Sequence, residues 1–330
     1  MKNVCLSALA IIGFLLWMPV IAIADSGRLS DETIPGSYEI TSPNGIIRFP
    51  FTIHGGDIRF ACQVNGHEVY LLLDDGFMWD QLLFWGSSEV DSLGLQYDGE
   101  IAIGNDTNAA DRIASRTASG ITLDLPGVTF LEQTAVVTPY SSGNAAMWAG
   151  SVGQVSATFF KHFVVAIDFD DMTITLSEPE QFEYTAHGVA IPWEPMGFGP
   201  WKIPARIGLA DGREVSLDFM MDLGYNAQLQ LATGGENKIT APKDATPASL
   251  GMNIQRVETR GHVGYLAYVT IGGYMINRVL ADFVLEEQQD HTFHEAMVGL
   301  GLLSRFNLVF DYRRHRLFIE PNKTFADPFE

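Results

Sequence analysis

Cysteine and basic residues are both scarce in this 330-residue chain, and each shortage closes off a class of protein. The two cysteines are Cys5, inside an N-terminal apolar run, and Cys62, so no internal disulfide framework can be built. Cys62 lies in an alternating apolar run and reads as a small core residue. Lys and Arg number 20 against 40 acids, a formal charge of −20, which argues against nucleic acid as a partner. Helical periodicity is rare as well. Two motifs of known hydrolase classes are also missing. His54-Gly55-Gly56 has no G-x-S-x-G elbow to serve, and His291-Thr292-Phe293-His294-Glu295 lacks the spacing of a zinc helix. Asp168, Asp170 and Asp171 lack the Gly-centred loop of a calcium site and read as an acidic turn. No metal or cofactor is expected.

At the N-terminus, Met1-Lys2-Asn3 precedes an apolar run from Val4 to Ala24 that closes on Ala22-Ile23-Ala24. This pattern predicts a signal peptide over residues 1–24, an exported protein (periplasmic or secreted), and no stable membrane insertion after removal. The predicted mature chain has 330 − 24 = 306 residues. Residues 25–45, rich in Ser, Gly, Pro and acids, read as a flexible lead-in. The sequons at Asn105 and Asn322 matter only in a eukaryotic secretory route. Arg313-Arg314-His315-Arg316, the one dense basic cluster, reads as a solvated turn or an anion-touching patch.

Most of the chain consists of short alternating apolar runs separated by Gly turns, the pattern of an all-β protein with short helices. It also repeats itself. Ile58–Val64, Asn65-Gly66 and Val69–Leu73 lead into Asp74-Asp75-Gly76. Ile203–Leu209, Asp211-Gly212 and Val215–Met221 lead into Asp222-Leu223-Gly224. Further matches join Gly127 to Gly273, Val152-Gly153 to Val298-Gly299, and Asp168-Phe169 to Asp311-Tyr312. The offsets are 222 − 74 = 148, 273 − 127 = 146, 299 − 153 = 146 and 311 − 168 = 143. Four anchors in one order and at nearly one spacing predict a first lobe over 46–176, a linker over 177–188 and a second lobe over 189–330.

An apolar strand ending in Asp-x-Gly, a flap-like hairpin, an apolar-apolar-Gly strand, a short helix and a final Asp-Phe or Asp-Tyr turn occur in that order in both halves. In this the chain resembles the retropepsin-like and pepsin-like aspartic proteases, and in particular bacterial exported proteins with two retropepsin-like units fused in one chain. The segment Arg260-Gly261-His262-Val263-Gly264-Tyr265 is similar to their flap-to-strand segment. The resemblance implies two lobes related by pseudo-twofold symmetry, with Asp74 and Asp222 as paired catalytic carboxylates. It further implies Gly153 and Gly299 on the supporting strands, a peptide or unfolded protein as substrate, and a monomer, since one chain supplies both lobes. Gly76 and Gly224 would let the backbone turn sharply beside each carboxylate.

The chain departs from the family beside each Asp, where Thr or Ser is usual and this sequence has Asp75 and Leu223. Leu223 has no polar side-chain group, and an ionised Asp75 accepts without donating. Asp75 faces the cleft, raising the pKa values of the pair, or points outward as a solvated turn residue. Phe77 and Tyr225 line the cleft or are core aromatics, as do Trp79, Phe84, Trp85 and Trp148.

Overall fold

The computed structural model describes residues 36–76, 80–103, 113–139, 150–196, 201–252, 258–288 and 295–329. The first half contains β1 (Ser37–Ile40), β2 (Ile46–Pro50), β3 (Thr52–His54), β4 (Asp57–Val64), β5 (His67–Leu73) and β6 (Leu82–Trp85). It continues with β7 (Gln96–Ile103), β8 (Ile113–Leu125), β9 (Val128–Thr138), β10 (Gly153–Val155), β11 (Val164–Asp168) and β12 (Thr173–Ser177). The second half contains β13 (Val189–Pro192), β14 (Glu194–Pro195), β15 (Trp201–Gly208), β16 (Glu214–Asp222), β17 (Leu229–Ala232) and β18 (Thr246–Met252). It ends with β19 (Glu258–Ile271), β20 (Tyr274–Val284), β21 (Ala296–Gly299), β22 (Phe306–Asp311) and β23 (Arg316–Pro321). The described helices are short, and Ala157–His162 and Leu300–Leu303 follow β10 and β21.

Local chemistry sets the hairpins. Asn65 and Gly66 join β4 to β5 with φ of 50° and 81°, and Gly272 and Gly273 join β19 to β20 with φ of 58° and 87°. Positive φ at both central residues gives a turn whose twist matches that of the paired strands, which is why Asn-Gly and Gly-Gly stand there. Along β16, exposed and buried residues alternate until Phe219, after which Met220, Met221 and Asp222 are all buried. The strand thus begins as a lobe surface and ends in the middle of the molecule.

Within the first lobe the sheet runs β1-β9-β6-β10-β5-β4-β8-β7, and a further β9–β8 pairing closes β4-β5-β10-β6-β9-β8 into a ring. In the second lobe the run β15-β16-β21-β17-β20-β19, closed by β15–β19, repeats this circuit strand for strand. A six-stranded sheet, β13-β23-β22-β11-β12-β2, draws equally on both halves, and β11 pairs antiparallel with β22 at its centre. Above that seam, Phe160 from the first lobe packs against Trp193 and Phe310 of the second at centroid distances of 6.0 and 5.0 Å. Trp193 in turn meets Trp201 at 4.4 Å, so one aromatic cluster ties the lobes together.

Two expectations change. Residues 37–40, inside the stretch read as a flexible lead-in, form β1 and pair with Leu131 to Val128 of β9. A Ser/Gly/Pro-rich composition concealed the alternation of Tyr38 and Ile40, which pack on the core. The second change concerns register. β10 and β21 both run parallel to the Asp-bearing strand, with Gln154 beside Leu72 and Met297 beside Met220. Leu72 and Met220 stand at the same distance from their Asp, since 74 − 72 = 222 − 220 = 2. Gln154 therefore matches Met297, and Ser156, not Gly153, matches Gly299. The corrected offset, 299 − 156 = 143, is the one shared by Asp168 and Asp311. The motif misled because each glycine has its own reason to be there. A Cβ on Gly153 would lie 2.1 Å from the Leu83 carbonyl oxygen, and one on Gly299 would lie 2.3 Å from those of Ala227 and Tyr225.

Candidate active site

Asp74 follows the last residue of β5 and Asp222 is the last residue of β16, so the two parallel-flanked strands deliver their acids to the lobe boundary. Both side chains are fully buried. Asp74 Oδ1 accepts the Gly76 amide at 2.9 Å, and Asp222 Oδ1 accepts the Gly224 amide at 2.9 Å. The lobes interlock reciprocally. A Cβ on Gly76 would stand 2.5 Å from Asp222 Cγ, and one on Gly224 would stand 2.6 Å from Asp74 Oδ2. Neither glycine has positive φ. The requirement for glycine is thus close approach of the opposite carboxyl and not the sharp turn expected from the sequence.

The two halves of the pair differ in their hydrogen bonding. Asp74 Oδ2 also accepts Gln154 Nε2 at 2.9 Å, so its carboxylate is held by two donors. Asp222 Oδ2 has no donor among the described residues. Both pKa values are raised. For Asp74 the causes are burial and then the charge of Asp75; for Asp222 they are burial, then Asp74, then Asp75. Two carboxyls this close cannot both ionise cheaply. The extra donor stabilises charge on Asp74, which leaves Asp222 as the better holder of the shared proton.

Asp75 is turned inward, 1 % exposed, and its Oδ1 accepts the Leu223 amide across the lobe boundary at 2.6 Å. Burial pushes it up to about 7, against the lowering effect of that amide. Leu223 is fully buried and offers only its backbone. Near the site a further interlobe hydrogen bond runs from Asn226 Nδ2 to the Gly55 carbonyl at 3.0 Å, which gives the His54-Gly55-Gly56 turn a place beside it. Tyr225 is fully buried, and its hydroxyl donates to Asp282 Oδ2 at 2.5 Å. Burial raises Asp282 to about 6 despite that bond. Phe77, Trp79, Trp148, Asn105 and residues 291–294 lie outside the described residues. Phe84 and Trp85 are core.

Three polar residues near the pair escaped the sequence reading. Gln154 interrupts the apolar supporting strand, and that interruption was the available signal. Asp282 likewise breaks the apolar run Val279 to Val284 of β20. Asp57, 6 % exposed at the start of β4, is pushed up to about 8 by burial and then by the charge of Asp74; an acid after a Gly-Gly turn gives no such signal. The other candidates resolve into structure. Asp168 Oδ1 accepts the amides of Asp170 and Asp171. Arg314 and Arg316 both pair with the buried Asp311, and Arg313 pairs with Glu180, so the basic cluster is committed within the fold. Asn322 donates to the Ser304 carbonyl and accepts from Thr324, and Cys62 is buried, its thiol pushed up to about 12 by burial and then by the charge of Asp124.

The paired lobes, the shared six-stranded sheet and the two Asp-x-Gly loops meeting at the boundary define the two-lobed, pepsin-like all-β fold. Among solved structures the chain is similar to Basic 7S globulin from soybean, with a TM-score of 0.50 and 11% sequence identity over 87% of this chain and 99% of that one. No protein-family model matches the chain, and no curated protein matches it.

Proposed function

We propose that the protein is an exported aspartic endopeptidase that hydrolyses peptide bonds with Asp74 and Asp222. The observation that carries this reading is the reciprocal packing of each Asp-x-Gly glycine against the other lobe's carboxyl. That packing holds two acids where one proton serves both. In the reaction, a water between the carboxyls attacks the scissile carbonyl carbon and Asp74 takes its proton. Asp222 gives its proton to the carbonyl oxygen, so a neutral tetrahedral diol forms. On collapse Asp222 takes back a proton from one diol hydroxyl as the C=O re-forms, the C–N bond breaks, and Asp74 gives its proton to the leaving amine, which restores the starting pair. Gln154 orients Asp74 and favours its ionised form against the effect of burial.

A second reading, a peptide-binding protein of the cell envelope without turnover, draws support from Leu223 and from the complete burial of both carboxyls. The test is hydrolysis of an unfolded protein from about pH 3 to about pH 8, comparing wild type with Asp74→Asn and Asp222→Asn. Hydrolysis abolished by either substitution supports the endopeptidase. A folded wild type that retains peptide but releases no fragments supports the binding protein.

A further inference from the structure

Asp75 occupies the place where the family it resembles carries a hydroxyl residue, and its surroundings are unlike those of a turn acid. Its Oδ1 crosses the lobe boundary to the Leu223 amide at 2.6 Å, while Oδ2 is buried with no hydrogen-bond partner among the described residues. Leu223 returns no side-chain hydrogen bond, so the tie runs in one direction. A hydroxyl there would accept the amide and bring no charge. A carboxyl accepts it and adds a titratable negative charge whose field reaches both Asp74 and Asp222.

We propose that Asp75 is a positioning residue, a one-sided acidic tie that holds the Asp222 loop through the Leu223 amide and places a third ionisable carboxyl against the pair. Among the described residues the ionisable groups that feel its charge are Asp74 on its own loop and Asp222 on the opposite loop; Asp57 acts on Asp74 from β4, and Gln154 on β10 is neutral. The kinetic consequence rests on the endopeptidase reading, whereas the tie itself rests on geometry alone.

Three variants of the full chain separate the roles. Asp75→Asn keeps an acceptor and removes the charge, Asp75→Thr substitutes a neutral hydroxyl, and Asp75→Ala removes both. The first measurement is denaturant stability from about pH 4 to about pH 9. Because burial raises Asp75 to about 7, its contribution to stability is full at low pH and is lost as pH rises through that value. Asp75→Asn and Asp75→Thr are expected to show a shallower fall over this range. The second measurement is the pH profile of hydrolysis. Both neutral variants are expected to move the alkaline limb to lower pH, and Asp75→Ala is expected to lower kcat about 10²-fold at every pH by letting the loop shift. An Asp75→Ala protein as stable as Asp75→Asn overturns the tie, and stability slopes for Asn and Thr that coincide with wild type overturn the ionisable carboxyl. So does an unmoved alkaline limb in an active enzyme. A wild type without hydrolysis refutes the endopeptidase reading instead, and the stability slopes then decide on Asp75 alone.

Discussion

The carboxyl of Asp222 occupies the space that a side chain on Gly76 would need, with Cγ only 2.5 Å from the position of that missing Cβ. Gly224 stands in the same relation to Asp74, so each lobe is shaped by the acid of the other. Gly76→Ala or Gly224→Ala should therefore push the two carboxyls apart. The expected result is a loss of about 10²-fold or more in kcat/KM, with a stability loss of about 1–3 kcal/mol for overpacking. Parallel kinetics and urea denaturation check both.

Asp74 and Asp222 are held in a site that penalises charge, and both are raised above the ordinary carboxylate range by burial first. Groups of this kind contribute stability below the unfolded carboxyl pKa and lose that contribution as pH rises through the folded value. Asp222→Asn should consequently become more stable relative to wild type as pH increases, while losing hydrolysis. Thermal melting of the two proteins across that range supplies the measurement; curves that run parallel would contradict it.

Gln154 is the lobe-specific donor, standing where the second lobe has Met297. Gln154→Met would make the supporting strands alike and leave Asp74 Oδ2 without its 2.9 Å partner. Loss of that donor raises Asp74 further, so the acid limb of the pH–rate profile should move upward. A profile that keeps its acid limb would separate Gln154 from the pair.

Tyr225 and Asp282 form a buried pair beneath the Asp222 loop. Tyr225→Phe keeps the ring and strips Asp282 of its donor, at an expected cost of about 1–3 kcal/mol. The same change raises Asp282, so the deficit should grow with pH; chemical denaturation at acid and alkaline pH reads it.

Much of the fold was legible because its determinants are local. Asn65-Gly66 and the alternation of β4, β5, β15 and β16 fix hairpins wherever they occur, and the repeated order of Asp-x-Gly, hairpin and Asp-aromatic turn exposed the duplication. What the sequence concealed depends on pairing between distant strands. The register of β10 is set by backbone hydrogen bonds to β5, and nothing in Val152-Gly153 distinguishes it from Val298-Gly299 as a string of letters. The inward turn of Asp75 depends on the Leu223 amide, donated by a loop 223 − 75 = 148 residues away. Composition favours exposure for an acid in a turn, and only the facing lobe reverses that preference.

The one-directional bond between Asp75 and Leu223 could not exist in a homodimer of a single lobe. Two identical chains would set an aspartate on each side of the axis, bringing a second such buried carboxyl in beside Asp74, Asp75 and Asp222. Covalent fusion releases the two positions from having to be the same residue. One loop can then specialise as acceptor and the other as apolar packing, an inequality that gene duplication permits and strict symmetry forbids.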